Sequence, residues 1–176
     1  RRWGRSAIWS GRGRRWQALN SLNEMTKEPK PGTGGSLGGG TTRPPIFADC
    51  NLLVAAAEKG HVGALAEIRA GETFVTPNQF HEFLDVSTVS QRVARGAFLR
   101  TEGIVVFSGP LTRNLTASPA FQQTFQQVIV QQGRGDAALA AFSKATGYEA
   151  VTMERRLYNF LTHTLGQLGV PIRRIR

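Results

Sequence analysis

The sequence predicts an α/β fold in three layers: a central, mostly parallel five-stranded sheet with helices on both faces. Two observations predict it. Short runs rich in Val, Ile and Phe recur at 46–50, 73–76, 104–107, 149–152 and 170–174, each of strand length and bounded by polar residues or glycine. Longer stretches with helical start and stop signals fill the gaps. Buried strands that alternate with helices pair in parallel under helices on both sides.

The elements follow in order. The first strand, Ile46-Phe47-Ala48, runs into Asp49. The second, Thr73-Phe74-Val75, runs into Thr76-Pro77-Asn78-Gln79. That tetrad reads as an N-cap, a proline at the first helical position and a capping-box glutamine. Glu82 falls on the helix that follows. Ser118-Pro119 repeats the first half of the device ahead of 120–132. Asp136 opens an alanine-rich helix that Gly147 is placed to end. The fourth strand, Ala150-Val151-Thr152, precedes Glu154, and Glu149 at its start reads as an exposed edge residue. A last helix shows Leu157, Phe160, Leu161, Thr164, Leu165 and Leu168 at helical period.

With 176 residues the chain is long enough for one domain with a substantial core. No apolar run approaches the roughly 18 residues of a membrane span, and no apolar segment of signal-peptide type follows the basic N-terminus. The single cysteine, Cys50, excludes an internal disulfide framework and a thiolate zinc site. His61, His81 and His163 lack metal-binding spacing and read as surface or packing residues. The net charge of +10 is uneven: residues 1–45 carry +7 and residues 46–176 carry +3. Nucleic acid is the natural polyanionic partner for such a chain.

Two regions emerge: a basic, Gly/Pro-rich N-terminal segment and linker at 1–45, expected to be disordered, and a folded domain at 46–176. All three tryptophans fall within residues 1–24, with six arginines and no lysine. Three readings of this stretch stay open: the end of a longer polypeptide, a basic RNA-binding arm, or a translated upstream extension. The Gly-rich run 32–40 is a linker. It is not a phosphate-binding P-loop, because no Lys-Ser/Thr follows it and no strand precedes it.

Four of the twelve acids stand where an α/β fold gathers ligands. Asp49 ends the first strand, Glu154 lies just beyond the fourth, and Glu82 and Asp136 sit on helices that reach the same edge. Ligands of open α/β sheets bind beyond the carboxyl ends of the strands, where strand order reverses. Clustered carboxylates repel unless a cation neutralises them, and hard oxygen ligands suit Mg²⁺ or Mn²⁺. Plainer roles compete. Asp136 is also a good N-cap, and Glu82 could be a solvated helix charge with Asp85 as the ligand. Glu82 is preferred for its distance from the preceding strand. Asp49 is hardest to explain otherwise, since a carboxylate at the end of a buried strand is costly alone. Arg155 and Arg156, and likewise Arg92, Arg95 and Arg100, read equally as phosphate contacts or as solvated helix charges.

These pieces resemble PIN-domain ribonucleases of the bacterial toxin type over residues 46–175. Asp49-Cys50-Asn51 after the first strand resembles the family's Asp-x-Asn; Thr76-Pro77 followed by Glu82-Phe83-Leu84 resembles its helical acid. Gly135-Asp136-Ala137-Ala138 resembles the third acidic segment, Thr152-Met153-Glu154 the Ser/Thr-x-Asp after the fourth strand, and Gly169-Val170-Pro171-Ile172 the closing strand. Glu154 departs from the family's usual Asp. The resemblance implies a PIN-like fold with Asp49, Glu82, Asp136 and Glu154 as ligands of one or two Mg²⁺ or Mn²⁺ ions, and Thr152 orienting a carboxylate or water. It implies in-line hydrolysis of RNA to 5′-phosphate and 3′-hydroxyl ends. Asn51 is expected to brace the loop after the first strand. An antitoxin or immunity protein as partner and a homodimer are further implications. So is a bacterial cytoplasm, or a target-cell cytoplasm if the chain is the C-terminal module of a secreted toxin. Two other classes are weighed. One is a non-catalytic RNA-binding or scaffold protein. The other is a phosphatase with Asp49 as nucleophile, against which Asn51 stands where a second acid is usual.

Overall fold

A computed structural model describes residues 43–176; the sequence reading of residues 1–42 lies outside these described residues. The sheet has five strands, all pairings parallel, in the order β3-β2-β1-β4-β5. The strands are β1 (Arg43–Ala48), β2 (Gly71–Val75), β3 (Val105–Val106), β4 (Glu149–Thr152) and β5 (Ile172–Arg174). Helices α1 (Cys50–Glu58) and α2 (Val62–Arg69) join β1 to β2, and α3 (Pro77–Leu84) and α4 (Val89–Thr101) join β2 to β3. Helices α5 (Pro110–Ala117), α6 (Pro119–Ile129) and α7 (Arg134–Thr146) lead to β4, and α8 (Arg155–Asn159) follows it. Among the described residues no helix is long and apolar enough to cross a membrane.

Side-chain alternation along the strands separates two cores. Ile46, Ala48, Val75 and Val151 pack with α1 to α4 on one face. Phe47, Phe74 and Ala150 pack with α6, α7 and α8 on the other. Phe47 is fully buried there, its ring centroid 5.2 Å from Phe107 and 6.1 Å from Phe142. The chain thus winds from β1 to β3 over one face, then crosses to β4 and β5 over the other. Right-handed parallel connections require this change of face when strand order reverses. The reversal falls between β1 and β4.

Several local expectations are corrected. β1 begins at Arg43, three residues before the domain start read from the apolar pattern. Pro44 and Pro45 hid it: they donate no ladder hydrogen bond, and the β1–β2 register shifts between Arg43 and Ile46. Cys50 belongs to the first turn of α1, so β1 ends at Ala48. Thr76 caps α3 as expected, accepting from Gln79 N at 3.2 Å. The Gln79 side chain does not complete a capping box; its Oε1 accepts from Cys50 N at 2.7 Å. The last helix breaks: after α8 a π turn spans Phe160–Thr164, closed by Leu165 N donating to Phe160 O at 2.9 Å, and a 3₁₀ turn spans Gly166–Leu168. One extra residue in the turn shifts the phase, so Thr164 faces solvent while Leu165 and Leu168 stay half-buried. Glu149 is no edge residue. Its strand lies between β1 and β5, and its carboxylate accepts from Arg173 Nε at 2.9 Å.

Candidate active site

The reversal point places Asp49 and Glu154 side by side. β1 and β4 are neighbours in register, Ala48 opposite Val151, so the residues just beyond each strand share one crevice. Asp49 occupies the N-cap position of α1, yet its side chain does not cap the helix. It turns to β4, where Thr152 Oγ1 donates to Asp49 Oδ2 at 2.6 Å. The same hydroxyl oxygen accepts from Glu154 N at 2.8 Å. Thr152 therefore fixes one acid through its side chain and the next through its backbone. Glu154 occupies the N-cap position of α8, again without a side-chain cap bond, and its Oε2 accepts from Asn51 Nδ2 at 3.0 Å. Asn51 thus braces the fourth acid rather than its own loop alone.

Glu82 and Asp136 reach the crevice from helices. Gly133, not Asp136, is the N-cap of α7, and Asp136 lies in that helix's first turn. The N-cap alternative for Asp136 is thereby set aside. Gly135 lets α7 come close to α3: a Cβ there would stand 2.6 Å from Glu82 Oε2 and 3.3 Å from Gln79 Nε2. Asp85, the alternative to Glu82, is the C-cap of α3; both are exposed, but Glu82 is the acid that stands against Gly135 and whose charge raises Asp49 and Asp136. Three helices, α1, α7 and α8, thus begin at this edge, each with an acid at or near its start. Their positive dipole ends offset part of the repulsion among the acids.

The electrostatics record that crowding. Asp49 is 2% exposed. Burial pushes its carboxyl up to about 6; the Thr152 hydroxyl opposes that rise, and the charges of Glu154 and Glu82 add to it. Burial first, and then the charges of Asp49, Glu154 and Glu82, push Asp136 up to about 7, with Arg156 opposing. Glu82 is raised by burial and by Glu154. Burial and the same acids push the Cys50 thiol up to about 12, which leaves it an inert packing group.

The four acids face one crevice without closing on a point: among the described residues no three His, Cys, Asp or Glu side chains meet closely enough to hold a metal ion. The donor set nonetheless suits a hard divalent cation, being all carboxylate, and the missing Cβ of Gly135 gives the Glu82 carboxylate its room.

Sequence reasoning missed Gln79. It is fully buried, its Oε1 is committed to Cys50 N, and its Nε2 has no hydrogen-bond partner among the described residues. That donor points to the side where Gly135 and Glu82 approach. The available signal was its place three residues before Glu82, on the same face of α3. Two of the arginines are structural. Arg95 pairs with Glu58 at 2.7 Å and covers the Phe83 ring at 4.9 Å, and Arg92 Nε donates to Leu84 O at 3.1 Å. Both hold α4 against the end of α3. His61 is also structural, its Nδ1 accepting from Ala64 N at 3.1 Å to cap α2.

No protein-family model matches the chain, and no curated protein matches it in sequence. Among solved structures, the chain is similar to a member of the VapBC family of toxin-antitoxin systems, VapBC-5, from Mycobacterium tuberculosis. The identity is 11% and the TM-score 0.44, over 76% of this chain and 99% of that one. The sheet order and the side chains at its carboxyl edge therefore carry the functional reading.

Proposed function

We propose that this chain is a divalent-metal-dependent ribonuclease of PIN type, the toxin of a toxin–antitoxin pair or the toxin module of a longer secreted protein. The observation that supports it most is that Asp49 and Glu154 both hang from Thr152 at the β1–β4 reversal point, with Glu82 and Asp136 facing the same crevice. Nothing else in the described fold explains why four acids share a crevice without an arginine in ion-pair contact. In this reading Asp49, Glu82, Asp136 and Glu154 hold Mg²⁺ or Mn²⁺. When bound, such an ion supplies Lewis acidity toward the phosphate and acidifies water.

The protein's own residues do the rest. Thr152 holds Asp49 and Asn51 holds Glu154, each through a side-chain hydrogen bond, and the metal-free carboxyl of Asp136, raised to about 7, gives up its proton when the ion binds. Hydrolysis forms one bond from water oxygen to phosphorus and breaks the bond to the 3′ oxygen. The water's proton passes to that oxygen, leaving 5′-phosphate and 3′-hydroxyl ends. An antitoxin or immunity protein as partner, self-association, and action in a bacterial or target-cell cytoplasm belong to this same proposal.

The separation of the acids favours a second reading, a non-catalytic RNA-binding protein. Phosphatase chemistry on Asp49 has less support, because its Oδ2 is tied to Thr152 and Asn51 is turned to Glu154. Cleavage of a labelled RNA with Mg²⁺ or Mn²⁺ tests the proposal. Asp49→Asn and Asp136→Asn should each lower the rate by at least about 100-fold, the upper end of what losing a mere outer-shell partner costs, while the chain stays folded. Full activity in either variant would remove that acid from the site, and wild type that binds RNA uncut would leave the non-catalytic reading.

A further inference from the structure

A cavity of about 490 Å³ opens beside the carboxylates, within the range of ligand pockets. Helix α1 forms one wall. Asn51, Val54, Ala55 and Lys59 line it, at the spacing that puts side chains on one helix face. Met153, Glu154 and His61 complete the lining. The cavity shares Asn51 and Glu154 with the candidate active site, so whatever occupies it adjoins the carboxylates.

We propose that this cavity is a nucleobase subsite: one unstacked base of the RNA strand, next to the bond cut at the carboxylates, enters between α1 and Met153. The proposal rests on the ribonuclease reading and adds to it where the strand lies. The walls suit a flat, weakly polar group. Val54, Ala55 and Met153 are apolar, and the Met thioether is soft and adaptable against a ring. The rim suits a base edge. His61 accepts at Nδ1 from Ala64 N, so its ring proton is on Nε2 and that atom is a donor. Asn51 gives Nδ2 to Glu154, which leaves its Oδ1 as an acceptor. Lys59 suits the next phosphate. It is exposed and forms no ion pair among the described residues, while its neighbour Glu58 is taken by Arg95. Lys59 lies eight residues from Asn51 along α1, about 12 Å at the rise of a helix, so it stands away from the acids. Recognition of single bases splayed from a strand is how proteins read RNA sequence.

The test uses the full chain and a fluorescein-labelled ten-nucleotide RNA, intact or with one abasic nucleoside at each position in turn. Binding is read by anisotropy without divalent ions, and cleavage with Mn²⁺. An abasic nucleoside beside the cut bond should weaken binding to wild type about tenfold, the order of a lost base contact. Val54→Trp, which fills the cavity, should weaken intact RNA by a similar factor and erase the difference between intact and abasic strands. His61→Asn keeps a side-chain cap for α2 and draws the donor back from the reach of the ring, its amide N–H lying closer to the backbone than Nε2. It should fold as wild type, raise KM and leave kcat, with base discrimination reduced. Equal binding of intact and all abasic strands by wild type would overturn the subsite, as would discrimination that survives both substitutions. Cleavage without base dependence removes the subsite alone. Base-dependent binding without cleavage keeps the subsite and removes the nuclease reading, and absence of both removes both.

Discussion

Toward the amino ends of the strands, Glu67 and Glu149 are held by arginines. Arg173 donates to both oxygens of Glu67, at 3.0 and 2.8 Å, and pairs with Glu149 at 2.9 Å; Arg43 adds a bond to Glu67 at 2.6 Å. The Arg173 and Arg43 guanidiniums hold the Glu67 carboxyl below the usual range. At the carboxyl ends, Asp49, Glu82, Asp136 and Glu154 form no ion pair among the described residues, and Asp49, Glu82 and Asp136 are all raised. One end of the sheet satisfies its acids within the chain, tying β1, α2, β4 and β5 together. The other leaves them for something from outside. Carboxyls raised and left un-neutralised by the fold cost stability, and in the proposed nuclease reading that cost is what keeps the site open for a cation.

Neutralising one acid at each end should therefore have opposite effects. The largest is at the carboxyl edge. Asp136→Asn is expected to raise the stability of the metal-free chain at pH 8 by about 1–3 kcal/mol, as a raised carboxyl implies, while abolishing cleavage. Arg173→Ala at the amino edge leaves two acids without their shared partner. It should lower stability by about 1–2 kcal/mol, the scale of a part-buried network rather than an exposed pair, with the cleavage rate kept. Urea unfolding and RNA cleavage on both variants check the pair, and equal signs in stability would break the comparison.

Gly135→Ala sharpens it. Alanine favours a helix by about 0.5–1 kcal/mol over glycine, and its Cβ would stand 2.6 Å from the far end of the Glu82 side chain and 3.3 Å from the buried Gln79 Nε2. The two effects nearly offset, so stability should stay within about 1 kcal/mol of wild type, and cleavage should fall about tenfold or more, the scale on which a disturbed ligand support acts. A loss of stability with full activity would mean that the close approach serves packing. The smallest effect is expected at Glu154. Glu154→Asp shortens the reach by about 1.5 Å and should keep the rate within a few-fold. Glu154→Ala should lower it well below wild type when Mn²⁺ is limiting. Equal rates in Ala and wild type would reduce the site to three acids.

The sheet and the four acids were legible because each rests on a short local pattern. Asp49 follows its apolar strand at once and Glu154 follows two residues after its own, while Glu82 and Asp136 sit on helices with clear start signals. The parts not legible depend on partners far away in sequence. Gln79 looks like half of a capping box until Cys50, 29 residues earlier, takes its oxygen. Glu149 looks like an edge charge until β5 brings Arg173 beside it. Pro44 and Pro45 disguise a strand start whose partner is Gly71. The turn at Phe160–Thr164 follows no periodic rule, so a 3.6-residue stripe runs through it unchanged. The cavity along α1 needs Met153 and His61 from two different loops. The strand-order reversal itself appears only once the sheet is assembled.

The central claim is that the carboxyl edge holds acids uncompensated by the chain and compensated by a divalent cation. Thermal unfolding from pH 5 to pH 8, with and without Mn²⁺, tests it most directly. Asp49 and Asp136 are raised from 3.8 to about 6 and about 7. The folded chain then holds more protons than the unfolded one between about pH 4 and 7, and stability falls as pH rises through that window. The metal-free midpoint should therefore drop from pH 5 to pH 8. Mn²⁺, which binds the ionised carboxylates of the folded state, should restore it at pH 8 and do little at pH 5. Asp136→Asn should flatten the pH dependence and shrink the Mn²⁺ effect together. A wild-type midpoint that stays level across this range and does not respond to Mn²⁺ at pH 8 would contradict the account.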